Sequence, residues 1–368
     1  MKTVGTSIAL GLIVLSFVVQ PAIGEESAQG TRSNGERTVM LELFTATWCI
    51  GCPYADAAAD RLLRVVGPER VSVIQYHVTQ TDPLRINESD ERRGSYGDPQ
   101  LPSLFLDGEL KSVGATSYEE TLEEYLLLVQ EGLEVSTSVS LELSYDISAG
   151  AVTLEASVGS TEPLVGQNLI MRFALFENIL EVDGKTYNYS VRAFNETSID
   201  PVSMPYVQSV TFSLDPSWIV DNMGAAVFLQ TDAGGHIHQS ANLMFGAPPV
   251  ITIADTTADT VAGNHTIEGS CTGLRQLSEV FVRIDDGIWV EAEGAADWNH
   301  TFDTRELSDG SHTVQARVYD ISGVYSQPDT LSFIVRNKEQ APSTEVILIL
   351  VVFLSGALFL GVARRRRV

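Results

Sequence analysis

The chain has 368 residues, enough for two or three domains. Its 23 Lys+Arg face 48 Asp+Glu, a formal net charge of −25, and a surface that acidic excludes duplex nucleic acid as the main partner and repels anionic lipid. Only Cys49, Cys52 and Cys271 occur, too few for a disulfide-rich scaffold or a four-thiolate zinc site, while 44% hydrophobic content excludes wholesale disorder.

In chain order, Lys2 precedes an apolar run from Ile8 to Val19, followed by small residues at Ala22 and Gly24. Residues 1–24 therefore read as a signal peptide cut before Glu25. Residues 25–37 are polar and read as a tether. Thr38 to Phe44 is a strand-like run, Tyr54 to Val66 carries Ala58, Leu62, Val65 and Val66 at helical spacing, and Val71 to Val78 and Ser103 to Leu106 are further strands. Ser117 followed by Glu120 is a capping box that opens a helix to Gln130. This order predicts one α/β domain over residues 38–132.

Beyond it the helical signal vanishes. Val139 to Ser144, Val152 to Val158, Leu169 to Phe176, Val207 to Leu214 and Ala225 to Gln230 are strand-like, which predicts a β-sandwich over 133–246. Ala247-Pro248-Pro249 is a stiff break. Short strands such as Val280 to Ile284 and Thr313 to Tyr319 then predict a separate Ig-like sandwich over 247–336. Val346 to Ala363 is uncharged and long enough to span hydrocarbon, and the arginines in 364–368 read as a cytoplasmic basic tail. A C-terminal sorting signal is the alternative for that end. The expectation is a single-pass protein of the cell membrane, with its ectodomain outside. Sequons at Asn87, Asn188, Asn195, Asn264 and Asn299 are candidate glycosylation sites on that side.

The chemistry concentrates in Thr47-Trp48-Cys49-Ile50-Gly51-Cys52-Pro53, between the first strand and the first helix. Unpaired N–H groups and the positive end of the helix dipole favour thiolate over thiol. Cys49 would attack and Cys52, a turn on, would resolve. The alternatives are half a zinc site, for which His77, His236 and His238 are the nearest further ligands, or a structural staple, which over two intervening residues constrains little. His77 reads as structural, His236 and His238 as an exposed hairpin, Arg92 and Arg93 as a solvated face, and Cys271 as a buried or free thiol.

Phe44 through Cys52 resembles a thioredoxin-fold active site, and Pro102 in Gln100-Leu101-Pro102-Ser103 resembles the cis-proline loop of that superfamily. The finer likeness is to secreted thioredoxin-fold proteins named after a 28-kDa outer-membrane protein. It is carried by Tyr76-His77 through Asp82-Pro83-Leu84, by Tyr187-Asn188-Tyr189-Ser190-Val191-Arg192 and by Ala226 through Asp232. The resemblance covers about residues 38–245 and implies a thioredoxin-like α/β domain with the first sandwich as its companion. With the Ig-like sandwich and the apolar span read above, the fold expected is multidomain: a thioredoxin-like α/β domain followed by two all-β sandwich domains, the second Ig-like, and one transmembrane helix. The resemblance also implies Cys49 and Cys52 as a catalytic redox disulfide, with Trp48, Leu101 and Pro102 against the substrate. The superfamily's buried acid position is Leu43 here, with Glu42 on the opposite face, so the proton acceptor for Cys52 is left among Glu42, His77 and water.

The function expected is a membrane-anchored, extracytoplasmic thiol–disulfide oxidoreductase. No cofactor and no metal are implied. The partners expected are protein thiol or disulfide clients and a separate redox protein that resets the dithiol. The alternative is a cell-surface binding or adhesion protein that uses the thioredoxin-like domain as a scaffold.

Overall fold

The computed structural model describes residues 26–32, 36–164, 168–199, 205–232, 235–254 and 260–337. Strands run through most of it, and three α-helices occur among the described residues: α1 (Cys52–Val66), α2 (Asn87–Ser95) and α3 (Tyr118–Leu133). The first strands are β1 (Glu26–Arg32), β2 (Val39–Thr45), β3 (Val71–His77), β4 (Ser103–Leu106) and β5 (Glu109–Val113). Next come β6 (Val139–Ser148), β7 (Ala151–Ser160), β8 (Leu169–Glu177), β9 (Leu180–Val182), β10 (Lys185–Tyr187), β11 (Ser190–Ile199), β12 (Tyr206–Ser213), β13 (Met223–Thr231) and β14 (Ile237–Met244). The last group is β15 (Val250–Ile253), β16 (Thr260–Val261), β17 (Asn264–Thr272), β18 (Leu277–Ile284), β19 (Val290–Glu291), β20 (Glu293–Gly294), β21 (Asp297–Asp303), β22 (Gly310–Asp320) and β23 (Asp329–Val335).

The expected row of an α/β domain, two sandwiches and a transmembrane helix is corrected on two counts. First, the α/β part and the first sandwich are not strung in series, because one eight-stranded sheet runs through both, ordered β14-β13-β8-β11-β3-β2-β4-β5. The join is a parallel contact of β11 with β3 at Ser190 and Gln75, where Gln75 N–H donates to Tyr189 C=O at 2.8 Å. The physical reason is the open edge of β3, whose unpaired backbone groups are covered by a strand more than a hundred residues away in sequence. Second, no helix among the described residues is long and apolar enough to cross a membrane, so the expected transmembrane helix and the membrane location built on it are not supported. The signal peptide (1–24), the apolar span (346–363) and the basic tail (364–368) lie outside the described residues. The tether expected over 25–37 contains β1, which pairs antiparallel with β6.

Period-two alternation gives the long sheet two working faces. On β8, Met171, Phe173 and Leu175 enter a core shared with the four-stranded sheet β1-β6-β7-β12, while Ala174 and Phe176 enter the core that holds α1 and α3. On β2, Glu42 and Phe44 point toward α2, where they meet Arg92 and Tyr96. α3 opens as the capping box requires, with Ser117 Oγ accepting from Glu120 N–H at 3.3 Å.

The third unit has two sheets, β15-β17-β21-β20 and β16-β23-β22-β18-β19, around Trp298, Val280, Val314 and Phe333. It is docked on the C-terminal end of α1. Trp289 N–H donates to Val65 C=O at 2.8 Å, and the Arg317 guanidinium donates to Arg64 C=O at 3.0 Å and to Glu69 at 2.9 Å. A helix end leaves its last carbonyls unpaired and carries negative partial charge, so an incoming N–H and a guanidinium satisfy both. Phe281, Trp289 and Tyr319 are buried with the core of the α/β part.

Candidate redox site

β2 ends at Thr45, a turn follows, and α1 begins at Cys52. The turn is held by Cys49 N–H donating to Ala46 C=O at 3.1 Å, and by Thr47 N–H donating to the Asp82 carboxylate at 2.6 Å. Cys49 and Cys52 are joined as a disulfide with their Cα atoms 5.4 Å apart. Cys49 keeps 9% of its surface exposed and Cys52 none, so the Cys49 side is the one open to solvent. Trp48, Ile50 and Tyr54 stand exposed around it, Ile50 at 93%.

The Leu101–Pro102 peptide bond is cis, and Leu101 packs on Ala46, Cys49 and Cys52. Trp48, Cys49, Cys52, Leu101 and Pro102 are thus gathered at one end of β2. Gly51 explains half of the intervening dipeptide. A Cβ there would sit 2.8 Å from the Ala115 carbonyl oxygen and 3.5 Å from Pro102 Cδ, so only glycine allows the turn to lie this close to the proline loop.

The loop after β3 braces the same turn from the other side. Thr79 holds φ at 80°, a strained value for a β-branched residue. Its N–H donates to Asp90 of α2 at 2.8 Å, and its hydroxyl accepts from the Trp48 indole N–H at 3.1 Å. Burial works against ionisation of Asp82, but the neighbouring His77 ring and the Thr47 and Leu84 N–H groups together hold its carboxyl below the usual range. His77 Nδ1 lies 3.2 Å from Asp82, and its Nε2 is buried without a hydrogen bond.

Of the residues left as proton acceptors for Cys52, Glu42 is committed elsewhere. Arg92 Nε and Nη2 donate to its two oxygens at 2.8 and 2.7 Å, and Tyr76 and Tyr96 donate as well. Although burial opposes it, Arg92 keeps that carboxyl below its ordinary value. Arg92 itself is 4% exposed, so the solvated face read for Arg92 and Arg93 is corrected at Arg92: a buried carboxylate on the facing strand draws the guanidinium inward.

The acid missed by sequence reasoning is Asp56. It lies one helical turn after Cys52 on α1, the spacing that brings side chains to one face. Both of its carboxylate oxygens are buried without a hydrogen bond. Burial, moderated by the Thr45 hydroxyl and reinforced by Asp82, pushes its pKa up to about 7. Asp60 continues the stripe; burial raises it too, and it accepts from Asn188 at 2.9 Å. The signal was legible as Cys52, Asp56 and Asp60 at four-residue intervals on an otherwise Ala- and Leu-rich helix.

All five sequon asparagines are open to solvent in some degree: Asn87, Asn195 and Asn264 are exposed, Asn188 and Asn299 half-buried. Asn188 is placed differently, because the Nδ2 that a glycan would take is donated to Asp60 and its carbonyl accepts from Ile179 N–H. Of the other histidines, His238 is half-buried, bonded to the Thr231 hydroxyl at 2.6 Å, and its pKa is lowered to about 4 by burial and then by His236. Cys271 is buried and free, its thiol pushed up to about 12 by burial and Asp297. Among the described residues no group of three or more His, Cys, Asp or Glu is placed to hold a metal.

Residues 249–316 match the bacterial Ig domain family. A thioredoxin of Methanocaldococcus jannaschii is 26% identical over 85 residues, 23% of this chain and 89% of the relative. Among solved structures, HBP35 of Porphyromonas gingivalis is similar at 15% identity and a TM-score of 0.45, covering 82% of this chain and 99% of that one. A protein of Agrobacterium tumefaciens is similar at 22% identity and a TM-score of 0.41, over 57% of this chain and 95% of its own. The chain is thus similar to a thioredoxin over about a quarter of its length and to the bacterial Ig domain family over residues 249–316.

Proposed function

We propose that this protein is a thiol–disulfide oxidoreductase acting on protein clients through Cys49 and Cys52. The observation that carries the reading is a bonded cysteine pair at the start of a helix, outer sulfur reachable and inner sulfur buried, set against a cis-proline loop. In the reducing direction the Cys49 thiolate attacks a client disulfide, forming a mixed disulfide and releasing one client thiolate. The Cys52 thiolate then attacks Cys49 Sγ, closing the intramolecular bond and releasing the second client thiolate. The client gains two electrons and the dithiol loses them; the reverse sequence oxidises a client dithiol. A separate redox protein resets the pair.

In this reading Trp48, Leu101 and Pro102 meet the client backbone and side chains, and Ile50 and Tyr54 add an apolar rim suited to unfolded segments. Asp56 is the group at hand to take the proton of Cys52, since its carboxyl titrates near neutrality. The finer likeness to the secreted 28-kDa branch fits the same reading, with the β-rich part as that branch's companion domain.

The test is a redox titration of the full chain beside Cys49→Ser and Cys52→Ser. The expected result is one reversible two-electron couple in the wild type, with Cys52→Ser trapping a mixed disulfide and Cys49→Ser trapping none. A wild-type pair that stays oxidised against strong dithiol reductants, or that reduces without exchanging with any disulfide, returns the domain to a scaffold role.

A further inference from the structure

On the α2 face of the long sheet, away from the dithiol, a cavity of about 340 Å³ opens between α2, β8 and β11. Two arginines, Arg92 and Arg172, line it. Arg172 on β8 is 1% exposed, faces Glu196 across the sheet, and stands beside Phe228 of β13. Its Nε and Nη1 are buried without a hydrogen bond; its one ion pair, Nε to Glu196 Oε2 at 3.2 Å, lacks hydrogen-bond geometry. Arg92 spends Nε and Nη2 on Glu42, Tyr96 and Gln230, yet its Nη1 is likewise buried and unpartnered.

Buried donors are normally matched, and a guanidinium is built to hold a planar or tetrahedral oxyanion with parallel N–H groups. Both arginines line this cavity and each keeps buried N–H groups without an acceptor, a deficit that an anion drawn against them would fill. The mouth has the opposite sign: Glu88 and Glu91 of α2 and Glu196 of β11 are all exposed there. Three carboxylates would repel a simple anion on its way in and would hold a cation at the rim. Ser95 and Asn195 add neutral hydrogen-bonding groups to the wall. At roughly 30 Å³ per water-sized group, the volume accommodates about ten heavy atoms.

We propose that this cavity binds a small zwitterion, with its carboxylate or phosphate on Arg92 and Arg172 and its cationic group among Glu88, Glu91 and Glu196. Burial and the neighbouring Arg92 lower the pKa of Arg172, the electrostatic signature of a positive group short of counter-charge. Bound oxyanion would supply that charge and the missing acceptors together. The site does not depend on the redox reading, since neither cysteine contributes to it.

The experiment is calorimetric titration of the full chain at low salt with lysine as the carboxylate arm and phosphorylcholine as the phosphate arm. Inorganic phosphate and choline serve as single-charge controls. The expected result is saturable binding of at least one zwitterion, at least tenfold tighter than either control. Arg172→Met should weaken it tenfold or more. Should that variant not fold, the exposed double variant Glu88→Gln with Glu91→Gln keeps the question open to decision: it should weaken the zwitterion while tightening inorganic phosphate. The proposal is overturned if neither zwitterion saturates, if a single-charge control binds equally well, or if the variants leave both affinities unchanged.

Discussion

Asp56 is the residue on which the chemistry proposed for this site turns. Its carboxyl has an ordinary value of 3.8 and is raised by burial to about 7 in the folded chain. Between those values the unfolded chain carries the charge and the folded chain holds the proton. Stability from this group is therefore full below about pH 4 and is lost as pH rises through about 7. Asp56→Asn removes the titration, so the variant should gain on the wild type by on the order of 2–4 kcal/mol between pH 4 and pH 8. Urea unfolding of both proteins across that range is the check, and parallel curves would remove Asp56 from the buried set. The same variant should slow resolution by Cys52 most at neutral pH. His77 was read as structural and sits against Asp82; Glu42, weighed beside it as a proton acceptor, proves to be a clamp for Arg92.

At the scale of elements, α2 is the piece whose place the local pattern did not announce. Its sequence, Asn-Glu-Ser-Asp-Glu-Arg-Arg-Gly-Ser, has no apolar face, so hydrophobic periodicity gave no helix there. What seats it is the bidentate Arg92–Glu42 pair, with Arg92 also over the Tyr96 and Phe228 rings at 4.5 and 5.5 Å. Removing one partner of a buried pair strands the other charge, at a cost of about 3–5 kcal/mol. Glu42→Gln and Arg92→Leu should each lose that much in equilibrium unfolding, and the double change Glu42→Leu with Arg92→Leu should recover most of it. Additive losses would show that the two residues act separately. Because Asp90 of α2 holds Thr79, and Thr79 holds Trp48, loosening α2 should also raise the accessibility of the dithiol turn. By contrast α1 and α3 were legible from spacing and from the Ser117–Glu120 box, since their information is local.

For the whole molecule, the Ig-like unit is not an appendage. Trp289 is 1% exposed, lies under the Arg317 and Arg283 guanidiniums at 4.0 and 4.5 Å, and caps the end of the helix that begins at Cys52. Arg61 and Arg64 of α1 reach the other way, to Glu291 at 2.9 Å and Glu279 at 2.5 Å. Trp289→Ala should cost about 3–5 kcal/mol at this junction and split thermal unfolding into two transitions. A calorimetric trace that keeps the wild-type shape would show the contact to be incidental. The dithiol, the proline loop, the helices with apolar spacing and the β-rich remainder are legible in the sequence, because each is written in neighbouring residues. Tertiary structure alone decided that β11 joins β3, that Arg92 is buried, that Asp56 lies in a dry polar stripe and that the Ig-like unit closes α1. Apart from the four-residue spacing of Cys52, Asp56 and Asp60, those facts depend on pairings far apart in the chain, whose desolvation and edge-covering free energies leave no local periodicity to read.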